Sequence, residues 1–142
     1  MNKTRLMPAD MPWYWSMSVP TSQGWRVDAP GALLFTGAQF SVDADGNALG
    51  EGDIEVQTRN VFTNITRVLR DGGADWSNVV KMNTFYVFDG PEDEAKAFWE
   101  KMTRVRVQFY AQPAHCGTGV RVSGLPGKGL LIGAAAIAVV PA

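Results

Sequence analysis

The sequence predicts a small α+β domain in the order β-β-α-β-α-β-β, with both helices on one face of a single sheet. Two segments of helical period separate shorter runs of strand character. The last run, Leu130 to Val140, holds no charged or polar side chain, as a strand covered on both faces does. With 142 residues, 46% of them hydrophobic, the chain makes one domain with room for a core.

Residues 1 to 22 gather Pro8, Pro12 and Pro20 with Trp13, Tyr14, Trp15, Met7, Met11 and Met17. This mixture resists regular structure yet is too apolar to stay in water, so it reads as an arm that docks on something, ahead of a domain spanning 23 to 142. Gly24 to Asp28 and Ala32 to Phe40 read as strands around a Pro30-Gly31 turn. Asp43-Ala44-Asp45-Gly46-Asn47 is a second turn, built from residues that tolerate left-handed backbone.

From Asp53 the period becomes helical. Ile54, Val61, Phe62, Ile65, Val68 and Leu69 share one stripe, Glu55 and Arg59 pair at i,i+4, Asp53 serves as N-cap and Gly72-Gly73 ends the helix. Val79 to Phe88 reads as a strand with two largely apolar faces. A second helix runs from about Pro91 to Tyr110, with Ala95, Phe98, Trp99, Met102, Val105 and Phe109 on its buried side. Strands at about Thr118 to Ser123 and Leu130 to Val140 close the chain.

Thirteen basic and fourteen acidic residues are spread along the sequence for a net charge of -1, which leaves no electrostatic footprint for nucleic acid or an anionic membrane. One cysteine excludes an intrachain disulfide, and no apolar run follows the start, so a cytoplasmic protein is expected. The final apolar run is about half of a bilayer span. Because two helices cover only one face of a sheet, the other face of this dry strand should meet another subunit, with Ala134, Ala135, Ala136 and Ala138 permitting close approach.

The only histidine and the only cysteine are neighbours, in Pro113-Ala114-His115-Cys116-Gly117-Thr118-Gly119. Adjacent residues on an extended strand face opposite ways, which disfavours a thiolate–imidazolium pair. One histidine and one cysteine do not furnish the ligand set of a zinc site, so no metal is expected.

Thr36-Gly37-Ala38-Gln39, Gln57-Thr58-Arg59-Asn60 running through Asn64-Ile65 to Gly72-Gly73-Ala74, and Val79 to Val87 together resemble the Rid family of reactive-intermediate deaminases, also called YjgF or UK114 proteins. Pro113-Ala114 and the closing Ala136-Ile137-Ala138-Val139 fit the same pattern. The similarity covers roughly residues 24 to 140. It implies a chorismate-mutase-like fold and a homotrimer whose three sheets form a central barrel, with clefts between subunits. It also implies hydrolysis of short-lived enamines and imines without metal or organic cofactor, an arginine holding the substrate carboxylate and an acid positioning water.

Here the sequence departs from the family. The arginine expected after Pro-Ala is matched by His115, and the acid expected on the last strand falls near Ala135. A histidine that is neutral at pH 7 does not replace the fixed, forked charge of arginine.

His115 is the candidate catalytic residue, as general base or hydrogen-bond donor in the cleft, against a bland reading as a polar loop residue. Thr36, Trp25, Cys116, Gly117 and Arg121 are the candidate substrate-binding residues. Thr36 falls where the family places a small hydroxyl, and Trp25 near where an aromatic lines the pocket. Cys116 reads first as a small apolar residue whose backbone N–H could meet a ligand, and Gly117 as a point of amide exposure or a bulge. Arg121 is the natural substitute cation. Six extended residues nevertheless put it about 20 Å from His115, which ranks an ion pair ahead of substrate binding. The reading favoured on these grounds is a Rid-like hydrolase for a less charged or aromatic imine. A ligand-binding or protein-stabilising trimer is the alternative, and RNA cleavage is disfavoured by charge.

Overall fold

The computed structural model describes residues 2–10 and 19–142. The expected docking of the arm through Trp13, Tyr14 and Trp15 lies outside the described residues. The strands are β1 (Asn2–Leu6), β2 (Gly24–Asp28), β3 (Ala32–Phe35), β4 (Gln39–Phe40), β5 (Val79–Tyr86), β6 (Cys116–Arg121) and β7 (Ile132–Val140). The helices are α1 (Ile54–Asp71), between β4 and β5, and α2 (Ala95–Arg106), between β5 and β6.

The main sheet runs β3-β7-β5-β6, with β4 continuing the β3 edge of β7. β3, β4 and β5 lie antiparallel to β7, whereas β6 lies parallel to β5, the pairing that the crossover through α2 requires. α1 and α2 pack on this sheet as expected. Phe62, Ile65 and Leu69 of α1 meet Met102 of α2 over Met82 of β5 and Ala134, Ala136 and Ala138 of β7. Asp53 caps α1 as expected, its carboxylate accepting from the N–H groups of Glu55 and Val56 at 3.0 and 3.1 Å. Gly73, at φ +73°, takes the left-handed turn after it.

The structure differs from the sequence expectation in several details. β2 lies with β1 in a separate two-stranded sheet and not in the main one, and the second helix, expected from about Pro91 to Tyr110, is the shorter α2 with one 3-10 turn, Glu92–Glu94, before it. Asn2–Leu6, expected to be irregular, is a strand paired antiparallel to β2 from Asn2↔Asp28 to Leu6↔Gly24. The single strand expected over Ala32 to Phe40 breaks at Thr36, whose N–H donates to Ala136 O and whose hydroxyl accepts from Ala136 N, both at 2.9 Å, so a side chain stands in for the ladder. In β5 the register shifts between Val79 and Lys81, and Val79 joins the core beside Met82.

The alanines of β7 also serve differently. Ala134, Ala136 and Ala138 turn toward the helices and let them approach the sheet, so they do not form the surface expected to meet another copy. The opposite face is apolar through Leu33 and Phe35, which are 55% and 66% exposed on the single chain, and Val120 on β6 is 40% exposed. Lys81 and Thr118 lie on that face too, joined by a 2.7 Å hydrogen bond.

Candidate functional site

The last turn of α2 and the start of β6 converge on His115. The imidazole is 3% exposed and meets the Tyr110 ring edge-on, with centroids 4.3 Å apart and planes at 70°. From the other side the segment before β2 is stitched to the backbone here. Ala114 N–H donates to Pro20 O at 2.8 Å, and Ser22 N–H donates to His115 O at 3.1 Å. Ala114 O accepts from the Ser22 hydroxyl at 2.6 Å and from the Trp25 indole N–H at 3.0 Å. Arg5 on β1 braces this seam, donating to Ser22 Oγ at 2.9 Å and to Thr21 O at 2.9 Å.

Burial pushes the His115 pKa down to about 3, and the positive charges of Arg106, Lys81 and Lys3 press in the same direction. The side chain is therefore neutral at pH 7, with one nitrogen donating and the other accepting. Neither ring nitrogen has a hydrogen-bond partner among the described residues. Each buried polar group left so costs about 1–3 kcal/mol. A base that protonates only near pH 3 takes up little proton at neutral pH, so this environment suits a hydrogen-bonding role for His115 better than the expected general base.

Arg106 is also buried, on the inner side of α2. It donates to Thr103 Oγ1 at 2.6 Å, lies 3.5 Å from Thr84 Oγ1, and stacks over the Trp99 ring at 4.3 Å. Burial raises the Tyr110 hydroxyl pKa, against a smaller opposing pull from Arg106.

The other expected site residues fall in several places. Trp25 lies at the His115 seam, its ring covered by the Lys3 ammonium 4.5 Å away. Cys116 turns to the other side of the strand from His115, as adjacent strand positions must, and its thiol donates to Val80 O at 3.2 Å. Gly117 is exposed opposite Met82, where an added Cβ would meet nothing closer than Met82 O at 3.6 Å. Thr36 lies on the β3 edge of the sheet, occupied with Ala136 and with Gly37 O.

Arg121 ends β6, donating to Phe88 O at 2.8 Å and pairing with Glu92 at 2.7 Å. These contacts match the ion-pair reading and hold the guanidinium at the far end of the strand from His115, so within one chain it does not join the substrate-binding group. Ala135 lies opposite Asn83 in the ladder, with no acid at that register.

Sequence reading does not single out Ser22, Arg106 or Tyr110. Arg106 left a trace, as the one charged position on an otherwise apolar helix row with Met102, Val105 and Phe109. Ser22 left none, because its partner is 92 residues away. Among the described residues no three His, Cys, Asp or Glu side chains gather where they could share a metal ion. No described helix is long and apolar enough to cross a membrane.

The profile of the Endoribonuclease L-PSP family matches residues 20–140. A RutC family protein of Pyrococcus abyssi is 33% identical over 119 residues, covering 84% of this chain and 85% of its own length. Among solved structures, the Rid family protein YyfB of Yersinia pestis, itself of unknown function, superposes with a TM-score of 0.78 at 25% identity over 99% of this chain and 100% of that one. RidA of a Psychrobacter species gives 0.63 at 24% identity over 84% and 87%.

Proposed function

Since the chain belongs to the Endoribonuclease L-PSP, or Rid/YjgF, family, we propose that it is a cofactor-independent hydrolase of the imine and enamine deaminase type. Its substrate is a small reactive intermediate less charged, or more aromatic, than an amino-acid-derived imine. The reaction takes place in clefts between copies of a homotrimer. The observation that carries this reading is the residue after Pro113-Ala114: a buried histidine, neutral at pH 7, where a carboxylate-holding cation would be needed for a charged substrate.

In such a hydrolysis water adds across the C=N bond, the carbon–nitrogen bond then breaks, ammonia leaves and a carbonyl remains; an enamine first takes a proton at carbon. A neutral imidazole serves one partner of the addition at a time, accepting from the water or donating to the substrate nitrogen. Trp25 and Tyr110 supply aromatic surface for an uncharged body.

Two arrangements support a shared cleft. The apolar face bearing Leu33 and Phe35 calls for cover, and Thr36 and His115 lie toward opposite edges of the sheet. A head-to-tail ring of copies brings one copy's β3 edge toward a neighbour's β6 edge.

The test is ammonia release from freshly generated imines. Turnover of an aromatic, uncharged imine faster than of 2-iminopropionate, and lost in His115→Ala, is the expected result; equal or greater activity on 2-iminopropionate contradicts it. A second reading, a ligand-binding trimer without turnover, draws on one observation: among the described residues, the charges that bear on His115 are the cations Arg106, Lys81 and Lys3, and none is an acid that could position water. Saturable binding without ammonia release favours it.

A further inference from the structure

The chain contains three Asp-Gly steps, Asp45-Gly46, Asp71-Gly72 and Asp89-Gly90, and no Asn-Gly step. An aspartate followed by glycine is a peptide link open to cyclisation, because without a Cβ on the second residue its backbone nitrogen swings readily onto the aspartyl carboxyl carbon. The folded chain does not expose the three equally.

At the first step the Gly46 N–H donates to Asp43 O at 3.1 Å, and the Asp43 carboxylate holds the N–H groups of Asp45 and Asn47, both at 2.9 Å. At the second, Asp71 is the last residue of α1 and the Gly72 N–H donates to Val68 O at 3.1 Å. Cyclisation at either one must first break a hydrogen bond of the attacking nitrogen and unwind a turn. Asp89 differs on both counts. It is exposed in the connection between β5 and α2, its carboxylate has no hydrogen-bond donor or ion-pair partner, and the Gly90 N–H meets no acceptor, among the described residues.

We propose that Asp89 is a modification site, the position at which the folded protein converts aspartate to isoaspartate. Gly90 N bonds to Asp89 Cγ, and the amide hydrogen leaves with the carboxyl hydroxyl as water, closing a five-membered succinimide. Water then opens the ring at the former backbone carbonyl, so the chain continues through Cβ and Cγ while that carbonyl becomes a free carboxylate. The water lost is regained, and nothing is oxidised or reduced. The product lengthens the backbone by one atom in a loop that Arg121 holds at both flanks, by Phe88 O at 2.8 Å and by Glu92 at 2.7 Å. Packing keeps the glycine in place, since a Cβ added at Gly90 would sit 2.6 Å from the Phe88 ring.

Trypsin separates the three steps into peptides 27–59, 71–81 and 82–96. The folded, intact chain is aged for several weeks at neutral pH in heavy-oxygen water, so that each ring opening leaves one heavy oxygen behind, and is then digested in ordinary water. Peptide 82–96 is expected to take up label at least roughly fivefold faster than either of the others, the factor that one retained hydrogen bond supplies. In urea, where no turn protects Asp45 or Asp71, the three rates should converge. Asp89→Glu keeps the charge but offers only a slower, six-membered ring closure. It should remove the excess label from 82–96 and leave the other peptides unchanged, which sets Asp89 apart from Asp93 in the same peptide.

Label rising as fast in 27–59 or 71–81 as in 82–96 overturns the proposal. So does a lead of 82–96 that persists in urea, because the fold would then not be its cause. Label in 82–96 that survives Asp89→Glu overturns it as well. None of these outcomes depends on turnover in the cleft.

Discussion

At His115 the sequence showed where to look but not what would be found. A lone histidine after Pro113-Ala114 is visible in one dimension. Its solvent exclusion is not, because that depends on Tyr110 in the segment after α2 and on a seam from Pro20 to Trp25 nearly a hundred residues earlier. The burial has a pH consequence. The unfolded chain protonates His115 near the ordinary pKa of 6.5, whereas the native state refuses the proton until about pH 3. Stability from this group is therefore complete above pH 6.5 and falls as the pH drops from there toward 3, by up to about 1.4 kcal/mol per unit. Urea unfolding at about pH 7.5 and about pH 5 should show the wild type losing about 2 kcal/mol more than His115→Phe. Equal losses would mean that the imidazole titrates normally. Thr36 is the counterpart case, since its hydroxyl sits where the family resemblance puts a ligand contact yet bonds Ala136 N. Thr36→Val should cost about 1–3 kcal/mol by orphaning that N–H, and Thr36→Ser should restore most of it, both read by urea unfolding. A loss of substrate affinity with unchanged stability would assign Thr36 to the ligand instead.

Among the elements, those with strong local signals were readable from the sequence. The amphipathic stripe, the Asp53 cap and the Gly72-Gly73 stop mark α1 without help from the rest of the chain. What escaped is non-local. β1 exists because Asn2–Leu6 finds a partner in β2, and the break between β3 and β4 depends on Thr36 reaching β7. The glycines of β6 belong with these. From sequence Gly117 reads as an exposed amide or a bulge, whereas at Gly119 an added Cβ would run into the Trp99 ring, so this second glycine serves helix–strand packing. Gly119→Ala should destabilise the fold by about 1–3 kcal/mol through overpacking, and Trp99→Leu, which removes the obstructing ring, should relieve the added penalty in a double-mutant cycle. Strict additivity of the two substitutions would show that the ring and the strand do not press on one another. Gly117, where an added Cβ would make only an ordinary contact with Met82 O at 3.6 Å, carries no such constraint.

For the whole molecule, the sequence called for cover on both sides of β7, and the fold supplies it on one. The dry alanines turned out to serve the helices, and the burden on the other face passes to Leu33 and Phe35. Burying a phenylalanine that is 66% exposed contributes up to about 1.5–3 kcal/mol, a gain that the proposed homotrimer would collect from each copy. The proposed shared cleft depends on that closure, because Thr36 and His115 lie toward opposite edges of one chain's sheet. Sedimentation equilibrium tests this most directly. The wild type is expected at three times the 15.4 kDa of one chain, with Phe35→Lys shifting toward the single-chain mass. A wild-type protein that is folded and stays at the mass of one chain at all concentrations would contradict a site shared between copies.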